Sequence, residues 1–452
     1  MARWAVRDKA VRIGLRWQSW RWLLPGMRVK RYLLVALLGG LLGLVGILQL
    51  SWEGPLVSRF YELVRWARPF DAPAWVTGLV WLGLGIFLLA EGIRWMNRSM
   101  LSALTDPDTV PQQVYIRRRL ESGPRIVALG GGTGLSRVLR GLKEETANLT
   151  AIVAVTDDGG STGRLRDSFG IPAVGDLVDC LAALSDAPGL PDLMAYRFER
   201  GGELAGHTFG NLMLVSLHEL EGNFAEALRN ANQILRLRGA VWPATAMPAK
   251  LCALREDGST SEGETRLREG RGRIRRVWLE ALHHERVLAG GQSTATAAEP
   301  PELEAMPEAL EAIRRAELLV LGPGSLYSSV IPSFLPPQIK EAILRSPGRL
   351  CYILNVMSEK GETDHLSALE HYRAIVTHLG RAPEIVVAHT HPIGHQRLAR
   401  YEAEGQHPVA LDLEGLEAEG VRVLRGDFLE DGPYAQHDPA KVVRALMNLR
   451  TS

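Results

Sequence analysis

Residues 32–50, YLLVALLGGLLGLVGILQL, run for 19 positions without a charged side chain. A helix needs roughly 20 apolar residues to cross a bilayer, so this stretch limits what the chain can fold into more than any other. A second stretch, AWVTGLVWLGLGIFLLA at 74–90, adds 17 such positions and lengthens through Gly92 and Ile93 if Glu91 sits at the boundary. The competing reading is a pair of buried helices in a soluble domain. It fits poorly, because a core helix rarely stays apolar all round for this length. Nine of the eleven tryptophans precede residue 96, and Trp52, Trp75 and Trp95 stand near the ends of the stretches, where indoles favour the headgroup region. Two transmembrane helices are therefore expected within residues 32–95.

Nine Lys/Arg precede the first stretch, three lie in the connecting loop of residues 51–73, and Arg94 and Arg98 follow the second stretch. The positive-inside rule then puts both termini and the main domain in the cytoplasm, at the inner or plasma membrane, with the short loop outside. The first stretch is too long for a cleaved leader, and no small-residue cleavage site follows it. Ahead of it, residues 3–24 mix Arg with Trp, Leu and Val at helical spacings. They read either as a helix lying on anionic lipid or as a basic tail that only sets topology. LTDPDTVPQQ, residues 104–113, has prolines and no apolar period and reads as a linker. Four regions result: a basic Trp-rich lead (1–31), a two-helix anchor (32–95), a linker (96–121) and a cytoplasmic domain (122–452).

The formal charge of +1 conceals a division: residues 1–121 carry 17 Lys/Arg against 8 Asp/Glu, the remainder 35 against 43. The acidic remainder argues against nucleic-acid binding, which wants a basic face. Cys180, Cys252 and Cys351 are far apart, with no CxxC pair, which suits a reducing compartment and supplies no metal framework. After residue 122, short apolar runs alternate with helical patterns. Strands are expected at 126–129, 151–155, 318–321, 352–355, 385–388 and 421–424, and helices at 135–144, 210–220, 224–235 and 366–379. This alternation predicts an α/β fold with a mostly parallel sheet and helices on both faces. Residues 251–281 alternate in polarity around Asp-Gly and Glu-Gly turns and read as a small antiparallel insertion. Residues 289–305 read as a mobile loop.

Within this domain an apolar run stops at Gly130-Gly131-Gly132-Thr133-Gly134 and an amphipathic pattern begins. Strand, glycine turn and helix together hold anions, because glycines admit a ligand close to the backbone and the helix's first N–H groups point at it. The named motifs fail here. G-x-G-x-x-G meets Leu135 or Arg137 at its third glycine, and no register gives Gly-Lys-Ser/Thr. Thr133 and Ser136 can add hydroxyls. The second strand ends in VTDDGGSTGRLRDSFG, which gathers Asp157, Asp158 and Ser161 at a strand's carboxyl end, where open α/β sheets bind ligands. Asp157 and Asp158 can accept from sugar hydroxyls or hold Mg²⁺ beside a diphosphate. Further polar clusters follow later runs: Asp176 at a helix start; His207, Thr208 and Asn211; Gly322, Gly324 and Ser325; then Asn355, Glu362 and Asp364. Asn355 could read a base or amide edge, and Glu362 and Asp364 could contact hydroxyls or cap the next helix. Taken singly, each cluster is a turn or a cap. Their recurrence at successive strand ends points to one rim. No nucleophile with its base can be named, and His207 reads sooner as a packed or capping histidine than as a general base.

The motifs GGGTGLS, TDDGGSTGRLR, GHTFGNL, LGPGSLYSS and NVMSEKGETD, in this order and spacing, resemble the YvcK/CofD-like family, and specifically its YvcK branch of gluconeogenesis factors. The resemblance covers residues 124–450 and implies a Rossmann-like core. It further implies binding of a UDP-sugar, notably UDP-N-acetylglucosamine, in support of cell shape, envelope synthesis and growth on gluconeogenic carbon. By this analogy Gly131, Gly132, Thr133 and Gly134 wrap the diphosphate, Asp157 and Asp158 lie beside it, and Asn211 and Ser325 stand near the ligand. RYEAEGQHPV makes Tyr401 a contact. One departure is visible: many relatives show Arg-His-Asp where this chain has Gln436-His437-Asp438. The membrane pair lies outside the family pattern.

Two functions are compatible with these residues. One is a membrane-tethered regulator that binds a UDP-sugar and reports precursor supply to an envelope-synthesis partner, with a homo-oligomer also in view. The other is a CofD-like transferase that moves a phosphoryl-linked group from a nucleotide diphosphate donor, with a metal at Asp157 and Asp158. A nicotinamide-type reductase is disfavoured by the missing third glycine.

Overall fold

The computed structural model describes residues 29–50, 73–101, 110–282 and 302–449. The basic lead at 3–24, nearly all of the connecting loop at 51–73 and most of the loop at 289–305 lie outside the described residues. The chain divides into two compact units, residues 1–116 and 117–452.

In the first unit, helices Val29–Leu50 and Ala74–Leu101 form an antiparallel pair. Within them, Arg31–Leu50 and Trp75–Ser99 are long and apolar enough to cross a membrane. The seam is built from glycine. Gly39 lies against Gly85 and Leu89, Gly46 against Gly78 and Leu82, and Gly92 against Ala36, so close that an added Cβ at Gly39, Gly46, Gly85 or Gly92 would strike opposing backbone. Gly39 and Gly46 are seven residues apart, as are Gly78, Gly85 and Gly92. A seven-residue repeat keeps one stripe facing its partner, and small residues there let backbones pack closely in lipid. Leu34, Leu37, Leu41, Leu44, Leu79, Ile86 and Phe87 remain exposed outside the seam. Glu91 pairs with Arg94 at 3.2 Å, so the second helix carries a partnered carboxylate past residue 90.

The second unit is built on a parallel sheet of seven strands in the order β10-β9-β8-β7-β1-β2-β3. These are β1 (Ile126–Gly130), β2 (Leu149–Val153), β3 (Ala240–Pro243), β7 (Leu318–Leu321), β8 (Arg349–Ile353), β9 (Ile385–His389) and β10 (Arg422–Gly426). β1 and β7 are buried along their whole length, as strands covered by helices on both faces must be. Helix Gly132–Leu142 covers the sheet with Leu135, Val138, Leu139 and Leu142, one face of a 3.6-residue period. The strand order reverses between β1 and β7, and the crevice beyond their carboxyl ends is where such sheets take ligands. Edge strand β3 carries no sequence signal of its own. It is four residues long and ends in Pro243, which an edge tolerates and an interior strand does not.

The insertion is a three-stranded antiparallel sheet of β4 (Ala249–Arg255), β5 (Thr260–Glu262) and β6 (Ile274–Ala281), as its alternating polarity predicted. Two devices hold it to the main body. The buried Arg255 donates to the carbonyls of Leu267 at 2.7 Å and Gly361 at 3.1 Å, and also to that of Gly272. Asp158, in the loop after β2, accepts from Thr265 just inside helix Glu264–Glu269. Leu303, Ala305 and Met306 are buried, so the end of the segment expected to be a mobile loop is packed against the core instead.

Candidate functional site

The loops after β1, β2, β7 and β8 reach one cavity of about 440 Å³ at the carboxyl rim. The first is the glycine turn. Gly132 has φ +68°, a left-handed conformation that favours glycine, and it opens the helix that follows β1. Gly131 is extended, and a Cβ there would collide with the Asp176 carboxylate. Thr133 lines the cavity; Ser136 turns back to donate to the Thr133 carbonyl at 3.1 Å and offers the cavity no hydroxyl.

In the loop after β2, Asp157 lines the cavity and its Oδ1 accepts from the Gly159 N–H at 2.9 Å. Gly324, Ser325 and Ser329 enter from the loop after β7. Asn355, at the end of β8, donates through Nδ2 to the Gly324 carbonyl at 2.9 Å and to Glu359 at 3.3 Å, so its amide ties two loops together. Tyr401 closes another part of the wall; its hydroxyl accepts from the Ala435 N–H at 3.0 Å. Nine residues singled out from the sequence thus meet at one cavity: Gly131, Gly132, Thr133, Gly134, Asp157, Gly324, Ser325, Asn355 and Tyr401.

Three others are not among the lining residues. Asp158 is held by Thr265. Ser161 and Asn211 belong to a buried network in which Ser161 Oγ lies 2.7 Å from His207 Nδ1 and accepts from Asn211 Nδ2 at 3.1 Å. That network joins helix Gly160–Phe169 to helix Phe209–Glu221, whose N-terminus Thr208 caps. Burial, with Arg164 and Arg197 nearby, pushes His207 below its usual range. Glu362 accepts from the Ser328 N–H at 3.1 Å and hydroxyl at 2.9 Å, and Asp364 from the Gly361 N–H at 2.7 Å, so both serve loop geometry. The cap of helix Ala368–Leu379 is Ser367, in a reciprocal box with Glu370.

The sequence reading left several lining residues out of the site: Arg137, Asp176, Glu264, Arg268, Glu359, Gln406, Gln436 and His437. Asp176 lies in the first turn of helix Gly175–Leu184; Arg137, Glu264 and Arg268 also sit in helices, the last two in the insertion, while Glu359, Gln406, Gln436 and His437 sit between the regular elements, and the fold brings them all to the rim. The carboxylates crowd one another. Burial, then Asp157 and Asp179, raise Asp176 to about 7. Burial raises Glu264 to about 8, against the pull of Arg268. Glu359 is raised by burial and by Glu362. His437 is pushed down to about 4 by burial and is neutral. The cavity therefore pairs a glycine turn that offers backbone donors with buried carboxylates whose proton affinity is raised. Hard oxygen donors of this kind suit Mg²⁺.

A larger groove of about 1160 Å³ runs along β6, lined by Lys250, Arg276, Trp278, Lys340 and His378 among others. It has none of the glycine loops and lies between β6 of the insertion and main-body residues such as Leu335, Lys340 and His378.

The model of the family 2-phospho-L-lactate transferase CofD matches residues 126–429. A Deinococcus radiodurans protein named a gluconeogenesis factor is 40% identical over 435 residues, covering 95% of this chain and 89% of its own length. The Bacillus subtilis gluconeogenesis factor is 38% identical over 329 residues, which is 98% of that protein but 72% of this chain. The first match is long enough to run into the apolar N-terminal unit; the second is no longer than the α/β part. A crystal structure of a Bacillus halodurans protein superposes with a TM-score of 0.66 at 39% identity, covering 72% of this chain and 100% of that one.

Proposed function

The chain belongs to the CofD-like family that includes the gluconeogenesis factors, and on that premise we propose that its rim cavity binds a nucleoside-diphosphate sugar, with UDP-N-acetylglucosamine the first to test. The observation that carries this reading is convergence: loops from separate strands bring the glycine turn, Asp157, Ser325, Asn355 and Tyr401 to one cavity. Its volume lies within the roughly 300–1,000 Å³ of small-molecule sites. The diphosphate rests on the N–H groups that open helix Gly132–Leu142. Asp157 and Asp176 would hold Mg²⁺, which neutralises diphosphate charge. Among the described residues no three metal-ligating side chains converge, so phosphate and water oxygens would have to supply the remaining ligands, as Mg²⁺ commonly accepts.

Under this reading the protein is a regulator. The hydroxyl–imidazole pair Ser161–His207 is not among the lining residues, while glycine-turn backbone, hydroxyls and an amide are, which supports a binding role. The two apolar helices tether the domain to the inner face of the membrane, where lipid-linked envelope precursors are made from UDP-sugars. Tethering raises the sensor's local concentration near a membrane partner. A second reading, transfer of a phosphoryl-linked group from a nucleotide diphosphate donor, draws support from the description of the matching family.

Calorimetry on the full chain in detergent, with Mg²⁺, tests the first reading. Saturable heat with UDP-N-acetylglucosamine supports it. No heat at millimolar UDP-N-acetylglucosamine, UDP-glucose or UDP overturns it. Turnover of a panel of nucleotide-linked donors would favour the second.

A further inference from the structure

Arg137 stands three residues beyond Gly134 on the helix that opens the glycine turn, and it lines the same cavity. Its guanidinium donates to Gln436 and Glu430, both from the segment after β10. The charge balance of the cavity gives this cation weight. Asp157, Asp176, Glu264 and Glu359 line the wall, and among the described residues lining it only Arg137 and Arg268 are cationic. Arg268 is committed elsewhere: it meets Glu264 at 2.5 Å and Glu362 at 3.3 Å. Arg137 has one carboxylate and one neutral amide as partners. They fix the plane of the guanidinium and leave it further N–H donors. Gln436 lines the same cavity and is one of the two residues that Arg137 grips, so the guanidinium is held at the wall.

We propose that Arg137 supplies the positive charge that engages the diphosphate of the bound nucleotide sugar, with Gln436 as its positioning partner. This rests on the reading of the cavity as a nucleoside-diphosphate-sugar site. It predicts that positions 137 and 436 form an exchangeable pair in which arginine is needed at one of the two.

The test is calorimetry on full-length protein in detergent with UDP-N-acetylglucosamine and, as a phosphate-free control, uridine, alongside thermal melting of each variant. Arg137→Leu should weaken UDP-N-acetylglucosamine by about tenfold or more, the loss expected for a charge-assisted hydrogen bond, and leave uridine within about twofold. Arg137→Leu combined with Gln436→Arg should recover most of the affinity, which a merely structural role for Arg137 would not allow. If leucine unfolds the helix, Arg137→Gln carries the same comparison. Unchanged affinity in the single variant, or a loss that Gln436→Arg fails to rescue, overturns the proposal while leaving the nucleotide-sugar reading intact. Failure of the unaltered chain to bind overturns both.

Discussion

Asp158 accepts from the backbone N–H of Thr265 at 3.0 Å and from its hydroxyl at 2.8 Å, while its neighbour Asp157 faces the cavity. Adjacent carboxylates thus have separate tasks, one clamping the insertion and one lining the site. Asp158→Asn should lower stability by about 1–2 kcal/mol, the net worth of hydrogen bonds to a charged acceptor, and leave ligand affinity within about threefold. Asp157→Asn should do the reverse. Thermal melting and calorimetry on both variants separate the two roles, and equal loss of affinity would refute the division.

Asp176 makes the site sensitive to pH. Its folded value of about 7 lies above the ordinary carboxylate range, so between those limits the folded chain holds a proton that the unfolded chain has released. Stability attributable to Asp176 is therefore present at low pH and declines as pH rises toward and through 7. Without divalent cation, diphosphate affinity should fall over the same window, because a new negative charge appears beneath the glycine turn. Asp176→Asn should flatten both profiles. Melting and binding series from pH 5.5 to 8.5, with and without Mg²⁺, provide the check, and a parallel decline in the variant would exclude Asp176 as the cause.

Much of this was legible beforehand because the informative residues are local. β1, β7 and β9 declare themselves as apolar runs, and the glycine turn is contiguous with β1. What could not be read was direction. Asp157 and Asp158 are indistinguishable in sequence, and only the docked insertion decides which one turns away. Ser161 is expected at the site from its place after β2 and Asn211 from the family resemblance, yet they satisfy each other beneath the surface with His207. Arg268 and Glu264 come from the insertion, whose place over the rim depends on pairing between residues more than a hundred positions apart, such as Arg255 with Gly361. No local pattern encodes such a contact.

That buried arginine supports a prediction of its own. Arg255 feeds three backbone carbonyls, those of Leu267, Gly272 and Gly361, and its side chain lies under the insertion. Arg255→Met keeps the apolar stem but orphans these acceptors, each costing about 1–3 kcal/mol. The variant should unfold at least about 3 kcal/mol more easily. Hydrogen exchange should rise in β4 and β6 before it rises in β1 and β7. Uniform loss of protection across both sheets would mean that the insertion is no separable unit.

The glycine seam of the N-terminal unit should fail in a position-specific way. Gly85 meets the backbone of Gly43 and Gly39, so Gly85→Leu forces the helices apart, whereas Gly83 has open space around it and should accept leucine. Tyr32 and Trp95 meet edge to face with ring centroids 6.0 Å apart, which gives a reporter at one end of the pair. With cysteines at 32 and 95, a short bis-maleimide should cross-link the two helices within one chain in isolated membranes. The Gly85→Leu background should abolish the cross-link and the Gly83→Leu background should preserve it, because only the former places a side chain where two backbones touch. Equal cross-linking in both backgrounds would show that close glycine packing does not hold the pair. Retention of both variants in the membrane pellet would separate this loss of helix pairing from loss of membrane association.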